Sequence, residues 1–327
     1  MTTIEALHLK KSFGSIVAVE DVSFSVEEGQ IFGFLGPNGA GKSTTINILC
    51  TLLKPTSGKA LVNGYDCVSQ PHKVRKSIGV VFQDSTLDRD LTAYENLYYH
   101  AILYEVPAKM RRKLVEEALY FVGLYERRND LVRHFSGGMR RRLEIARALV
   151  HLPKVLFLDE PTTGLDPQSR AFLWDYIKEL PKQKGVTVFM TTHYMDEAEI
   201  CDRIAIIDHG RIIAEGSPEQ LKASIGGDVI YISARNPQKA LKLVQSEFPQ
   251  AYIHREEICI AVTNAPEQAP QILRLLGREA LSMRLHRPTL NDVFLKLTGR
   301  QIRTESWNGE DELRESIRSY RRRFDRV

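Results

Sequence analysis

The chain has 327 residues, 43% hydrophobic and 26% charged, which is the balance of an ordinary globular protein, and a net charge of +4 that is too small to argue for nucleic acid. Its four cysteines (Cys50, Cys67, Cys201, Cys259) show no CxxC spacing, which excludes a zinc knuckle or disulfide framework and points to buried thiols in a reducing compartment. With no basic n-region at the start and no apolar run near the ~18–20 residues that cross a bilayer, a cytosolic protein is expected, one that needs a partner for any membrane role.

Residues 4–10 and 21–27 read as strands, with Val22, Phe24 and Val26 alternating with Ser23, Ser25 and Glu27 as in a half-buried antiparallel pair. Phe13 falls on a turn before Gly14. Ile31 to Leu35 reads as a strand buried on both faces, followed by a glycine-rich loop and a helix from Thr44 to Leu53. Ala60 to Val62 makes a further strand ahead of the hairpin signal Asn63-Gly64, and Gly79 to Gln83 a buried one. From about 88 to 150 the texture turns helical, an inserted subdomain whose last helix Ser136 caps and whose stripe is Leu143, Ala146, Leu149 and Val150. Val155 to Asp159 returns to strand. Asp166 and Pro167 open the next helix as N-cap and first residue. Val186 to Thr192 is another buried strand, with His193 at its end. A hairpin about Asp208-His-Gly210 and a capping box at Ser217 to Gln220 follow. Strands alternating with helices give a mostly parallel α/β sheet.

Gly226-Gly227 marks a boundary. Beyond it the order β, α, β-hairpin, α, β and a short helix (289–298) predicts a small α+β, ferredoxin-like domain. The expected division is 1–225, 228–299 and a basic polar tail, 300–327. No internal repeat is visible.

The chemistry begins at Gly36-Pro-Asn-Gly-Ala-Gly-Lys-Ser-Thr44. Strand, GxxxxGK[ST] and helix form a phosphate-binding P-loop, so Gly36, Pro37, Asn38, Gly39, Ala40, Gly41, Lys42, Ser43 and Thr44 are the candidate cradle of a nucleoside triphosphate. Glycines let several backbone N–H groups point inward, and the helix adds its positive end. Lys42 is placed for the β- and γ-phosphates and Ser43 for Mg²⁺. Val155 to Glu160 is an apolar strand ending in two carboxylates. Asp159 is placed to hold the magnesium, and Glu160 to polarise the attacking water. Gln83 and His193 stand at strand ends, where open α/β sheets bind ligands, although either alone reads more readily as a structural residue.

Phe135-Ser-Gly-Gly-Met-Arg-Arg140, opening a helix, resembles the signature motif of ABC-type ATPases. The resemblance covers about residues 3–225. It makes Phe13 the adenine-stacking aromatic, Gln83 the Q-loop and a third candidate magnesium ligand, Asp159-Glu160 the Walker B pair, Thr163 to Asp166 the D-loop, and His193 the switch histidine. Phe135 and Met139 depart from the usual leucine and glutamine without removing the Ser136 hydroxyl or the glycine backbone. The D-loop carries Thr-Gly where Ser-Ala is common. The resemblance implies an ATPase using ATP and Mg²⁺, in which two copies pair head to tail and Ser136, Gly137 and Gly138 of one face the γ-phosphate bound by the other. Asp166 joins the nucleotide-binding set on the same ground.

Pro288 to Arg300 resembles the closing segment of ABC-2, daunorubicin-resistance-like exporter ATPases, although Leu290, Val293, Phe294 and Leu297 also fit a helix that only packs the small domain. That branch implies a separate transmembrane permease, a homodimer at the inner membrane face, and a drug, lipid or polysaccharide-type cargo. Tyr94, Leu97, Tyr98 and Tyr99 are candidates for the permease groove, with core packing the commoner fate of such residues. The tail arginines (Arg318, Arg321, Arg322, Arg323, Arg326) read as solvated, with contact to anionic lipid beside the membrane partner as the alternative. No nucleic-acid partner is expected, since no aromatic pattern accompanies them. An importer ATPase and a non-transport ABC ATPase are the alternatives.

Overall fold

The computed structural model describes residues 1–254 and 256–298, so the tail arginines lie outside the described residues. Ten strands form one sheet: β1 (Thr2–Phe13), β2 (Ile16–Glu27), β3 (Ile31–Leu35), β4 (Ser57–Val62), β5 (Tyr65–Asp66), β6 (Ile78–Val81), β7 (Val155–Asp159), β8 (Thr187–Thr192), β9 (Arg203–Asp208) and β10 (Arg211–Gly216). Their spatial order is β5-β4-β1-β2-β10-β9-β3-β8-β7-β6.

The sheet is less parallel than the sequence suggests. Only the run β9-β3-β8-β7-β6 is parallel throughout. β1, β2, β4 and β5 pair antiparallel, and β10, antiparallel to β9, meets β2 through the single pair Arg211 and Asp21. Tight turns cause this, because strands joined by a few residues can only run antiparallel. At Asn63-Gly64 both residues have positive φ, 50° and 74°, as a two-residue hairpin between Val62 and Tyr65 requires. By contrast, every residue of β3, β7 and β8 is buried, as expected of central parallel strands covered on both faces.

Eight helices accompany this sheet: α1 (Lys42–Leu49), α2 (Pro71–Ser77), α3 (Ala93–Leu103), α4 (Ala108–Phe121), α5 (Gly137–Leu149), α6 (Pro167–Lys184), α7 (Met195–Ala198) and α8 (Pro218–Ser224). α3 to α5 share a core of their own around Leu97, Val115, Leu119, Phe135 and Leu143, the inserted helical unit of the sequence reading. Leu97 is fully buried there and does not line a surface groove, whereas Tyr99 is 48% exposed.

Beyond α8, β11 (Asp228–Ala234), α9 (Pro237–Gln245), β12 (Tyr252–His254), β13 (Glu257–Val262), α10 (Ala265–Leu276) and β14 (Ala280–His286) build a four-stranded sheet in the order β12-β13-β11-β14. All its pairings are antiparallel, the split βαββαβ arrangement expected. Ile230, Ile232, Val244, Ile258, Ile260 and Ile272 form its core.

The last helix, α11 (Leu290–Thr298), does not join that core. Leu290, Val293 and Phe294 are fully buried beside Leu173, Ile177, Val188, Met190 and Leu221, in the core of the first sheet. Thr289 starts the helix with a reciprocal cap, its hydroxyl accepting from Asp292 N–H while Asp292 accepts from Thr289 N–H. Lys296 Nζ donates to the Ile225 carbonyl at 3.0 Å. Helical spacing identifies an apolar face but not the surface that covers it.

Candidate nucleotide site

β3 delivers the chain to the edge of the sheet at Gly36, whose N–H donates to the Thr192 carbonyl at 3.2 Å. A Cβ on Gly36 would lie 2.3 Å from the Ile207 carbonyl oxygen, and one on Gly41 2.5 Å from that of Ala18. Gly41 also has φ 106°, where an L side chain is strained. α1 therefore begins at Lys42, two residues earlier than its apolar run suggests, and Gly41 caps it without a side-chain hydrogen bond. No side chain competes for the N–H groups of its first turn, which is the property an anion site needs.

Lys42 is 4% exposed. Its ammonium donates to the carbonyls of Gly36 (2.9 Å) and Pro37 (3.1 Å) and lies 3.3 Å from Glu160 Oε1. Burial lowers its pKa, partly offset by Glu160 and Asp159. Ser43 Oγ donates to Asp159 Oδ1 at 3.3 Å, which brings two of the sequence's three magnesium candidates together.

The ends of β7 and β8 form the facing wall. Thr191, fully buried in β8, donates through Oγ1 to Asp159 Oδ1 at 2.5 Å and accepts from Glu160 N–H at 3.0 Å. His193 Nδ1 stands 3.1 Å from Glu160 Oε1, and its Nε2 makes no hydrogen bond. Burial pushes the Glu160 carboxyl up, but His193 and the Lys42 ammonium together outweigh it and hold it at about 2. The group is thus ionised at neutral pH and engaged by both partners. Loosening either contact raises its basicity.

Asn38, Gly39, Gly41, Lys42, Ser43 and Thr44 line a cleft of about 420 Å³ from one side and Gln83, Glu160, Thr163 and His193 from the other. A helix start with no side-chain cap, glycines that a Cβ would jam, a buried ammonium and a histidine whose Nε2 has no partner fit a triphosphate.

Residues 19–163 match the ABC transporter family, and residues 216–298 match the ATP-binding protein DrrA1-3-like, C-terminal domain. The daunorubicin/doxorubicin resistance ATP-binding protein DrrA of Streptomyces peucetius is 42% identical over 90% of this chain and 92% of its own length. Nod factor export ATP-binding protein I of Rhizobium sp. (strain N33) is 40% identical over 91% of this chain and 98% of its own. The chain belongs to the ABC transporter family of ATP-binding proteins. Among solved structures, a dimeric post-hydrolysis state of the ATP-binding cassette MJ0796 bound to ADP and Pi superposes with a TM-score of 0.59 and 30% identity, over 65% of this chain and 98% of that one. ATP is accordingly the nucleotide, and its hydrolysis the activity.

The rest of the ABC motif set lies outside this cleft. Ser136 caps α5, its Oγ accepting from Met139 N–H at 3.2 Å, and Ser136 and Gly137 are exposed. Gly138 packs on Ser169, where a Cβ would meet Oγ at 2.4 Å. Asp166 caps α6, accepting from Ser169 N–H (2.9 Å) and Oγ (2.6 Å). Ala40 is buried under the loop, and Pro37 serves Lys42 through its carbonyl. Phe13 is not among the residues that line the cleft. It ends β1 before the turn at Gly14, 47% exposed with the Lys11 ammonium 5.0 Å from its ring centre, and Ile16, Val17 and Ala18 form that wall instead. The sequence reading also missed Thr191. Its signal was a pair of threonines closing an otherwise apolar strand.

Proposed function

We propose that this ABC protein powers a membrane exporter as one of two identical ATPase subunits paired head to tail. The observation that carries this reading is the split in its motifs: the P-loop, Glu160 and His193 line one cleft, with Asp159 bonded to Ser43 beside it, while Ser136 and Gly137 are exposed and outside its wall. A second copy presenting its α5 N-terminus completes the γ-phosphate end. Lys42 and the P-loop N–H groups hold the phosphates. Ser43, Asp159 and Gln83 are the ligand set for Mg²⁺, and Glu160 accepts the proton of the attacking water, with His193 beside it. The bound nucleotide supplies the electrophilic γ-phosphorus.

Relatives named for daunorubicin resistance and Nod factor export favour export, and with it a separate permease and a drug, lipid or polysaccharide-type cargo. No helix among the described residues is long and apolar enough to cross a membrane, which suits a peripheral subunit at the inner face. We place the division between nucleotide-binding and C-terminal domains at residues 225–228, with α11 returning to the first. Glu160→Gln keeps a hydrogen-bonding amide but cannot accept a proton. Purified in mild detergent with Mg-ATP, it is expected to carry a polytopic membrane protein near one-to-one. A solute-binding protein in addition would indicate import, and ribosomal or DNA-repair proteins alone would overturn the transport reading.

A further inference from the structure

Arg141, Glu144 and Arg147 recur every three residues along one face of α5, the helix that Ser136 opens. Arg141 is only 7% exposed, and its guanidinium is fully engaged. Nε donates to the Pro161 carbonyl at 2.7 Å, and Nη2 to those of Asp159 (3.2 Å) and Glu160 (3.3 Å). Nη1 donates to the Phe82 carbonyl and to Glu144 Oε2 at 2.9 Å. The other Glu144 oxygen accepts from Thr86 N–H at 3.2 Å, and Arg147 donates to the Thr86 carbonyl at 2.7 Å and to its hydroxyl. One helix face thus grips three successive carbonyls around Glu160 and both ends of the segment that carries Gln83.

Three consecutive carbonyls converge because Glu160 has φ 46°, the left-handed region, which costs a non-glycine residue on the order of 1 kcal/mol or more. Their buried oxygens need donors from one direction. A planar guanidinium with five N–H groups supplies them, whereas the three donors of an ammonium radiate from a single point.

We propose that Arg141 is a positioning residue for ATP hydrolysis: it fixes the backbone turn that aims Glu160 and makes the signature helix, Glu160 and the Gln83 segment move as one piece.

The test is Mg-ATP hydrolysis by Arg141→Met, which keeps the volume and removes the donors, and by Arg141→Lys, which keeps the charge. Nucleotide affinity of each is measured with a fluorescent ATP analogue. We expect kcat to fall about 100-fold for Met, which is about 2.7 kcal/mol of barrier, and about 10-fold for Lys. KM and analogue affinity stay within about threefold, since Arg141 touches no cleft-lining atom of the P-loop. A merely structural role would lower nucleotide affinity and kcat together, and that result overturns the proposal, as does a folded Lys variant within threefold of native kcat. Arg141→Lys decides if the Met variant does not fold. Failure of Glu160→Gln to dimerise with Mg-ATP removes the head-to-tail reading and leaves the kcat loss to test positioning by itself. Dimerisation with native kcat in Arg141→Met sinks positioning alone.

Discussion

Thr191→Val isolates one hydroxyl at the floor of the site. The substitution is nearly isosteric, so it opens no cavity, and the residue is fully buried, so no solvent replaces what is lost. Two bonds disappear: the 2.5 Å donation to Asp159 and the 3.0 Å acceptance from Glu160 N–H. A hydrogen bond to an acidic group contributes roughly 1.5–3 kcal/mol, and a buried N–H left without a partner costs roughly 1–3. We therefore expect a loss of about 4 kcal/mol in urea unfolding, with unchanged m-value. Thr191→Ser keeps the hydroxyl and gives up a methyl, so it should lose only about 1 kcal/mol. The same bonds hold the Asp159 carboxyl beside Ser43 and the Glu160 backbone in its left-handed turn, so ATPase activity should fall in the valine variant and survive in the serine one. A valine variant within about 1 kcal/mol of the native protein, or a serine variant as damaged as the valine, would refute the reasoning.

Two further expectations follow from the same contacts. Phe294→Ala removes a fully buried ring from the core shared with Leu173 and Leu221 and should cost about 3–5 kcal/mol; hydrogen exchange should rise in β8 and α6, with β11 and β13 protected as before. Loss of protection confined to β11 and β13 would place α11 with the wrong sheet. The Glu160 carboxyl is held at about 2 against an ordinary 4.5, so its pairing stabilises the fold fully above about pH 4.5 and is lost as pH falls through about 2. Glu160→Gln lacks that contribution, about 3 kcal/mol at neutral pH from the shift. The gap in unfolding free energy between the two proteins should close between pH 4.5 and 2, and parallel pH curves would count against the depressed pKa.

Motifs with a strict local grammar were legible in the sequence. Gly36 to Ser43, the caps at Ser136, Asp166 and Ser217, and the hairpin at Asn63-Gly64 depend on a few adjacent residues, and the structure shows each cap and turn as read. Features that depend on a distant surface were not legible. The apolar face of α11 is plain in Leu290, Val293 and Phe294, yet whether it meets Ile260 or Leu221 is decided by the path of the chain after β14. Phe13 shows the same limit: spacing from the P-loop fixes its place in the chain, but not where its ring goes. Arg141 reads as one of several arginines after the signature glycines. Only the convergence of carbonyls from Asp159 to Pro161 gives it a role.

Strand register turns these separate motifs into one site. Leu35 of β3 pairs with Thr192 of β8, so Gly36 and His193 leave the sheet at the same level. Asp159 of β7 pairs with Thr191, which puts Glu160 level with Thr192, one residue short of His193. Val81 of β6 pairs with Leu158, so continuing the chain two residues past Val81 sets Gln83 level with Glu160. Four residues spread over more than 150 positions thus reach one edge because four strands stop at the same height. A slip of one residue in β7 would carry its side chains to the opposite faces of a sheet that is buried on both sides. It would also move the Glu160 carboxylate about 3.3 Å along the strand, out of reach of Lys42 and His193. The apolar packing of Leu156 and Leu158 with Leu35, Val188 and Met190 on one face, and of Val155 and Phe157 with Phe34 and Phe189 on the other, is therefore what sets the distance between the base and the phosphate cradle. Catalytic geometry here is a consequence of core packing, with the polar residues placed by the strands that carry them.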